Sequence, residues 1–119
     1  PEGFIREFRT NCVGALVCAE EVVPEMRRRG RGTILVTGGG LALKPHFPLA
    51  SLSIGKGAVR TLAFMLAEEL EPEGIHVATI TVDGFVQPGT RFDPDTIAEA
   101  YWKLHKEPKG AWTREVLFQ

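Results

Sequence analysis

Between Gly3 and Arg29 the apolar residues Phe4, Phe8, Ala15, Ala19, Val22 and Met26 recur at helical spacing. That period predicts one amphipathic helix. Arg27, Arg28 and Arg29 followed by Gly30 read as its C-terminus, with cations on the negative dipole end and a glycine for the left-handed cap. Pro24 is expected to bend or tighten the last turn. The next run, Thr33-Ile34-Leu35-Val36-Thr37, is apolar without alternation and is stopped by Gly38-Gly39-Gly40. Such a run predicts a buried parallel strand. A loop holding Pro45 and Pro48 leads into a long helix, Leu49 to Leu70, closed by Glu73-Gly74. Ile75 to Val82 reads as a second strand ended by the turn Asp83-Gly84. Pro94 to Lys106 reads as a short helix, with Asp93 as N-cap and proline at the first helical position.

Glu115 to Phe118 fits a final strand. The terminal Glu-Val-Leu-Phe-Gln also matches the residues that an engineered viral-protease site leaves behind, and both readings stay open. Helix–strand–helix–strand alternation predicts an α/β architecture with right-handed parallel crossovers: about three strands, two long helices and one short helix, in a single domain over 1–119.

The long helix carries two apolar stripes. Leu52, Val59, Leu62, Ala63, Leu66 and Leu70 form one, and Ile54, Ala58, Thr61 and Met65 the other. One stripe covers the sheet. The second needs either the N-terminal helix or another molecule, and a homo-oligomer through the two long helices is the expectation.

Composition narrows the classes further. With 14 Lys+Arg against 15 Asp+Glu the net charge is -1. A broad basic face for nucleic acid or an anionic membrane is therefore not expected. No uninterrupted apolar run reaches the ~18 residues of a membrane span, so no membrane partner is expected either. Cys12 and Cys18 lie about 9 Å apart along the predicted helix axis, beyond disulfide reach. They read as small buried thiols of a reducing, cytoplasmic setting. His46, His76 and His105 share no ligand spacing with them, so no metal site is expected. Arg27-Arg28-Arg29-Gly30-Arg31-Gly32 could serve as a phosphate patch, but helix capping explains it more simply.

Several features occur together in order. Asn11 opens Asn-x-x-Gly in a long helix that runs on to Pro24-x-Met26 and an Arg/Gly-rich end. The strand Gly32 to Thr37 follows, with a small-residue turn after it. Lys56 lies in a helix ending Leu-Ala-Glu-Glu-Leu-Glu-Pro-Glu-Gly-Ile, and Val77 to Val82 leads to a further turn. In this order and spacing the chain resembles the short-chain dehydrogenase/reductase family, specifically its C-terminal half. The resemblance implies a Rossmann-like three-layer fold on a parallel sheet, and NAD or NADP as cofactor. It also implies a catalytic group of Asn, Ser, Tyr and Lys. In that group tyrosine moves the substrate hydroxyl proton, lysine lowers the tyrosine pKa and binds the nicotinamide ribose, serine polarises the carbonyl, and asparagine holds a water.

Carried over, Asn11 matches the asparagine and Lys56 the lysine. The tyrosine position is Leu52 and the serine position is Gly39. The sole tyrosine, Tyr101, belongs to the later helix and is not a positional substitute. The family's glycine-rich phosphate turn is not found ahead of Asn11. Thr37-Gly38-Gly39-Gly40 is a poor replacement, because Pro45 and Pro48 forbid an immediate helix. Asp83 stands where the family usually has proline before Gly84. Asp83, Gly84 and Lys56 are the remaining cofactor candidates.

The leading expectation is therefore a degenerate or truncated member without standalone redox catalysis, acting as a scaffold or oligomer subunit. The alternative is an NAD(P)-dependent oxidoreductase, acting on a carbonyl or alcohol, when complete. A remote alternative takes Ser53-Ile54-Gly55-Lys56 as the Ser-x-x-Lys pair of an acyl transferase, without the Ser-Asp-Asn and Lys-Thr-Gly elements such enzymes need.

Overall fold

The computed structural model describes residues 1–119. A three-stranded, all-parallel sheet carries helices on both faces: β1 (Gly32–Gly39), β2 (Ile75–Val82) and β3 (Glu115–Phe118), in the order β1-β2-β3. Helix α3 (Ala50–Leu70) crosses from β1 to β2, and α4 (Pro94–His105) crosses from β2 to β3. Ahead of β1 run α1 (Glu2–Phe8) and α2 (Gly14–Arg29), joined by a π-helical turn over Arg9–Val13. The predicted α/β alternation, strand positions and layer arrangement are all present.

The side-chain alternation of β2 divides the core between the two faces. Ile75 and Val77 meet Ala19 and Val23 of α2 and Ala67 and Leu70 of α3. Ala78, Ile80 and Val82 meet Ile97 and Leu104 of α4, together with Phe118. All eight residues of β2 are buried, which is why the strand reads as an unbroken apolar and Thr/His run.

Four sequence expectations change in detail. The N-terminal helix is not uniform, since the widened turn falls on Asn11. β1 does not stop at Thr37 but stays paired through Gly38↔Thr81 and Gly39↔Val82. Glycine is a weak strand former, and the neighbouring strand holds the two residues extended regardless. The predicted stripe of the first helix is half exposed: Ala19 is buried, while Phe4, Phe8 and Val22 are not. Cys18 is exposed and Cys12 only partly covered, contrary to the buried thiols expected, and both are free.

The C-terminal residues belong to the sheet. Glu115 accepts a bidentate pair from Arg60 of α3 (2.7 and 2.8 Å) and a hydrogen bond from the Thr81 hydroxyl (2.7 Å). Before β3, His76 stacks on Trp112 with ring centroids 4.9 Å apart and bonds the Thr113 carbonyl oxygen (2.8 Å). Glu107 accepts from both the amide and the hydroxyl of Thr113.

The helix caps set where the strands begin. Gly30 closes α2 at φ 71° and Gly74 closes the α3 segment at φ 84°, conformations that favour glycine. The two caps touch, because a side chain on Gly74 would run into the Gly30 carbonyl. β1 and β2 accordingly start level, with Gly32 opposite Ile75. Arg27 pairs with Glu73 across this junction and Arg28 with Glu25, so two of the arginines once weighed as a phosphate patch are engaged in ion pairs.

By length and composition the 27-residue stretch Phe47–Glu73 could cross a membrane, although charged residues interrupt every apolar run in it. Here one side of it forms the core against the sheet, through Val59, Leu62, Ala63, Ala67 and Leu70. The second stripe remains uncovered by the N-terminal helix: Ile54 and Met65 are 54% and 58% exposed.

Candidate functional site

The chemistry-bearing residues gather where β1 ends and α3 begins. The π-helical turn presents Asn11, whose amide donates to the Glu7 backbone oxygen (3.1 Å) and to its carboxylate (3.0 Å). Mid-helix asparagine is otherwise unfavourable, and a π turn frequently marks a functional position. Gly55 of α3 lies against this turn. A Cβ there would approach the Asn11 amide nitrogen to 3.0 Å, so the absence of a side chain lets the two helices close.

One residue on, Lys56 extends over the end of the strand and donates to the Thr37 carbonyl oxygen at 3.5 Å. Half-burial strips water from the ammonium group and holds its pKa below the usual lysine value, an effect the nearby Glu7 carboxylate partly opposes. The fold therefore brings together Asn11, Lys56 and a carboxylate, Glu7, that sequence reasoning did not single out. Its only signal was the i, i+4 spacing to Asn11.

The two substituted positions flank this group. Gly39 is extended (φ −153°, ψ 155°), and a Cβ there would sit 3.6–3.8 Å from the Lys56 side chain, an ordinary contact. A serine would fit; the hydroxyl is missing for want of the residue and not for want of room. Leu52 stands one helical turn before Lys56, partly buried, with no proton to exchange.

Ser53, which the acyl-transferase reading needs, is buried and committed elsewhere. Its hydroxyl donates to the Leu49 carbonyl oxygen (2.8 Å) and accepts the His46 amide (3.2 Å), tying the preceding loop to α3. No bond joins it to Lys56.

Asp83 and Gly84 leave the end of β2 on the same lip. The Asp83 amide continues the ladder to the Phe118 carbonyl oxygen (2.8 Å), and its carboxylate occupies the space a side chain on Gly40 would take. Gly84 lies under the Phe92 ring. After β1 the chain makes a single 3-10 turn, Gly40–Ala42, and α3 starts only at Ala50. No strand here turns directly into a helix N-terminus through glycines, so the residues present offer the phosphates of a dinucleotide no cradle. Of the cofactor candidates, Lys56 alone matches its ribose end.

One contact was not foreseen. Tyr101 of α4, dismissed on position, brings its hydroxyl into hydrogen bonding with the Thr37 hydroxyl. Thr37 thus carries Lys56 on its carbonyl and Tyr101 on its side chain. The lip is also apolar: Phe47 and Phe85, from the loops after β1 and β2, are 91% and 92% exposed.

Comparison with known proteins adds the following. A family profile described as short chain dehydrogenase matches residues 1–93. A very-long-chain 3-oxoacyl-CoA reductase of Aspergillus niger is 39% identical over 81 residues, covering 67% of this chain and 23% of that protein. Its counterpart in Coccidioides immitis is 40% identical over 70 residues, 59% of this chain and 20% of that protein. Among solved structures, a short-chain dehydrogenase from Rhodopseudomonas palustris superposes with a TM-score of 0.87 at 31% identity, covering 99% of this chain and 52% of that one. A metagenomic short-chain oxidoreductase in complex with NADP gives 0.79 at 23% identity, covering 90% and 47%, a likeness of fold. The chain thus spans about a fifth to a quarter of the curated relatives it matches and about half of the solved structures.

Proposed function

Because this chain belongs to the short-chain dehydrogenase family, a family of oxidoreductases, we propose that it is a member whose proton-transfer pair has been lost and which does not by itself turn over a redox substrate. The observation that carries this reading is Leu52, a hydrocarbon one turn before Lys56, with Gly39 opposite. Positioned acid–base groups contribute typically ~10²–10⁴-fold to such reactions. Lys56 is then left as a desolvated cation on a strand-end carbonyl oxygen. The remaining role is that of a scaffold or subunit. The uncovered stripe with Ile54 and Met65 on α3, and the exposed Phe4 and Phe8 on α1, support homo-oligomer formation through these helices. The reducing, cytoplasmic setting is proposed on the two free cysteines.

A second reading has its own support. The space beside Gly39, the depressed pKa of Lys56 and the apolar lip with Phe47 and Phe85 suit an NAD(P)-dependent reductase of an apolar carbonyl compound, when the phosphate-binding part is supplied by further polypeptide. The relatives named for 3-oxoacyl-CoA reduction point to an acyl thioester as that compound.

One experiment tests the first reading. The chain and its Leu52→Tyr, Gly39→Ser double variant are assayed with NADPH against a ketone panel and a long-chain 3-oxoacyl thioester. No turnover above background by either protein is the expected result. Turnover by the unaltered chain would refute the first reading, whereas a gain confined to the double variant would show a site that lacks only its hydroxyls.

A further inference from the structure

Capping and ion pairing account for only part of the run Arg27 to Gly32. Arg27 and Arg28 hold Glu73 and Glu25, whereas Arg29 and Arg31 pair with no carboxylate. Both line a groove of about 730 Å³ at the floor of the sheet, where β1 and β2 begin. This is the opposite end of the strands from Lys56. His105, the last residue of α4, lines the same groove. The Thr33 hydroxyl bonds its Nδ1 at 2.9 Å and leaves Nε2 without a partner.

The rest of the wall supplies acceptors. His76 is 2% exposed, and its Nε2 gives a proton to the Thr113 carbonyl oxygen (2.8 Å). Its Nδ1 is then a bare lone pair, buried and with no partner. Glu107, 3.8 Å from the same ring, is the groove's one acid, and its oxygens accept from Thr113 with lone pairs to spare. Guanidinium forks suit a tetrahedral oxyanion, whose several oxygens meet several donors at once. A fully ionised oxyanion would face only repulsion from the acceptors. One that keeps a proton can donate it to them.

We infer that this groove binds hydrogen phosphate, its ionised oxygens on Arg29, Arg31 and His105 and its O–H toward the acceptors of His76 and Glu107. The site needs no nucleotide and no atom of the Lys56 group.

The test is calorimetric titration of the full chain with sodium phosphate, sodium sulfate and methyl phosphate, at mildly alkaline pH and constant ionic strength. Sulfate and the ester dianion resemble hydrogen phosphate in charge and shape but carry no proton there. Phosphate is expected to bind roughly tenfold tighter than either, the size of one hydrogen bond to a charged group. The ester also separates free phosphate from a phosphorylated compound as the occupant. Arg29→Gln and Arg31→Gln, at exposed positions, should each weaken phosphate binding about tenfold. Arg28→Gln, an exposed neighbour already engaged with Glu25, should leave it unchanged. Backbone amide shifts on adding phosphate should centre on Gly32, Gly74 and His105. No binding of phosphate, equal binding of the three anions, full affinity in the Arg29→Gln, Arg31→Gln double variant, an equal loss in Arg28→Gln, or shifts centred elsewhere would overturn the proposal. Because no redox step is measured, failure here leaves the turnover experiment above unaffected, and the converse holds.

Discussion

On the β2–β3 side of the sheet every residue of β2 is buried and β3 is fastened by Arg60, Glu115 and Thr81. On the β1 side only Gly38 is buried, and the helices ahead of it leave Phe4, Phe8 and Leu16 open. The residues that could do chemistry lie on the looser side or on the lip between the two. Close packing is thus concentrated in β2 and the sheet-facing sides of α3 and α4, and the site hangs from it at Lys56 and Tyr101. A small sheet buries little surface to begin with, so the inequality decides where the fold tolerates change.

The sharpest test of that inequality substitutes one isoleucine in each strand. Ile80→Ala removes a fully buried side chain between α4 and β3 and should cost about 3–4 kcal/mol in denaturant unfolding, whereas Ile34→Ala should cost less than half of that. Equal losses would mean that β1 is as well supported as β2.

A smaller effect is expected from Arg60→Ala, which strips the fastening from β3 and leaves Glu115 largely buried without its partner, at about 2 kcal/mol. The Arg60 hydrogen bonds, aided by Thr81, hold the Glu115 carboxyl below the ordinary carboxylate range against the opposing effect of burial. That stability is fully present above the ordinary carboxylate value and is lost as pH falls through the depressed one. Unfolding curves measured from neutral to acid pH should show this loss in the native chain and a flatter profile in the variant.

The mildest test compares two adjacent glycines on the lip. Gly39→Ser should change stability by less than about 0.5 kcal/mol. Gly38→Ser, whose Cβ would press on the Thr79 and Thr81 hydroxyls at 3.0 and 3.3 Å, should cost about 1–2 kcal/mol. If the serine at 39 were the more harmful, the room described beside Lys56 would not exist.

Much of this was legible in the sequence, and the limits have physical causes. β2 and the sheet-facing stripe of α3 were readable because burial on both faces of a strand, or on one face of a helix, writes itself into residue type. Asn11 and Lys56 were singled out through the family resemblance, and the fold brings the two to one place. The π turn was not, since it shifts a hydrogen-bond ladder without altering apolar periodicity. The extension of β1 through Gly38 and Gly39 was hidden by the poor strand propensity of glycine, which pairing with Thr81 and Val82 overrides. The hydroxyl bond between Thr37 and Tyr101 spans 64 residues of sequence and depends on a crossover bringing α4 over β1, so no local pattern could announce it.

The abutting glycines at 30 and 74 act as a common starting block for two neighbouring strands. Inserting a single residue after Gly30 would slide β1 against β2 by one step and turn each of its side chains to the opposite face of the sheet. Thr37 would then look toward α3 and its hydroxyl would lose the phenol, while the glycines at the far end would fall out of step with Asp83. Alignment at the floor of the molecule thus fixes which atoms meet at its rim, some eight residues away along the strand.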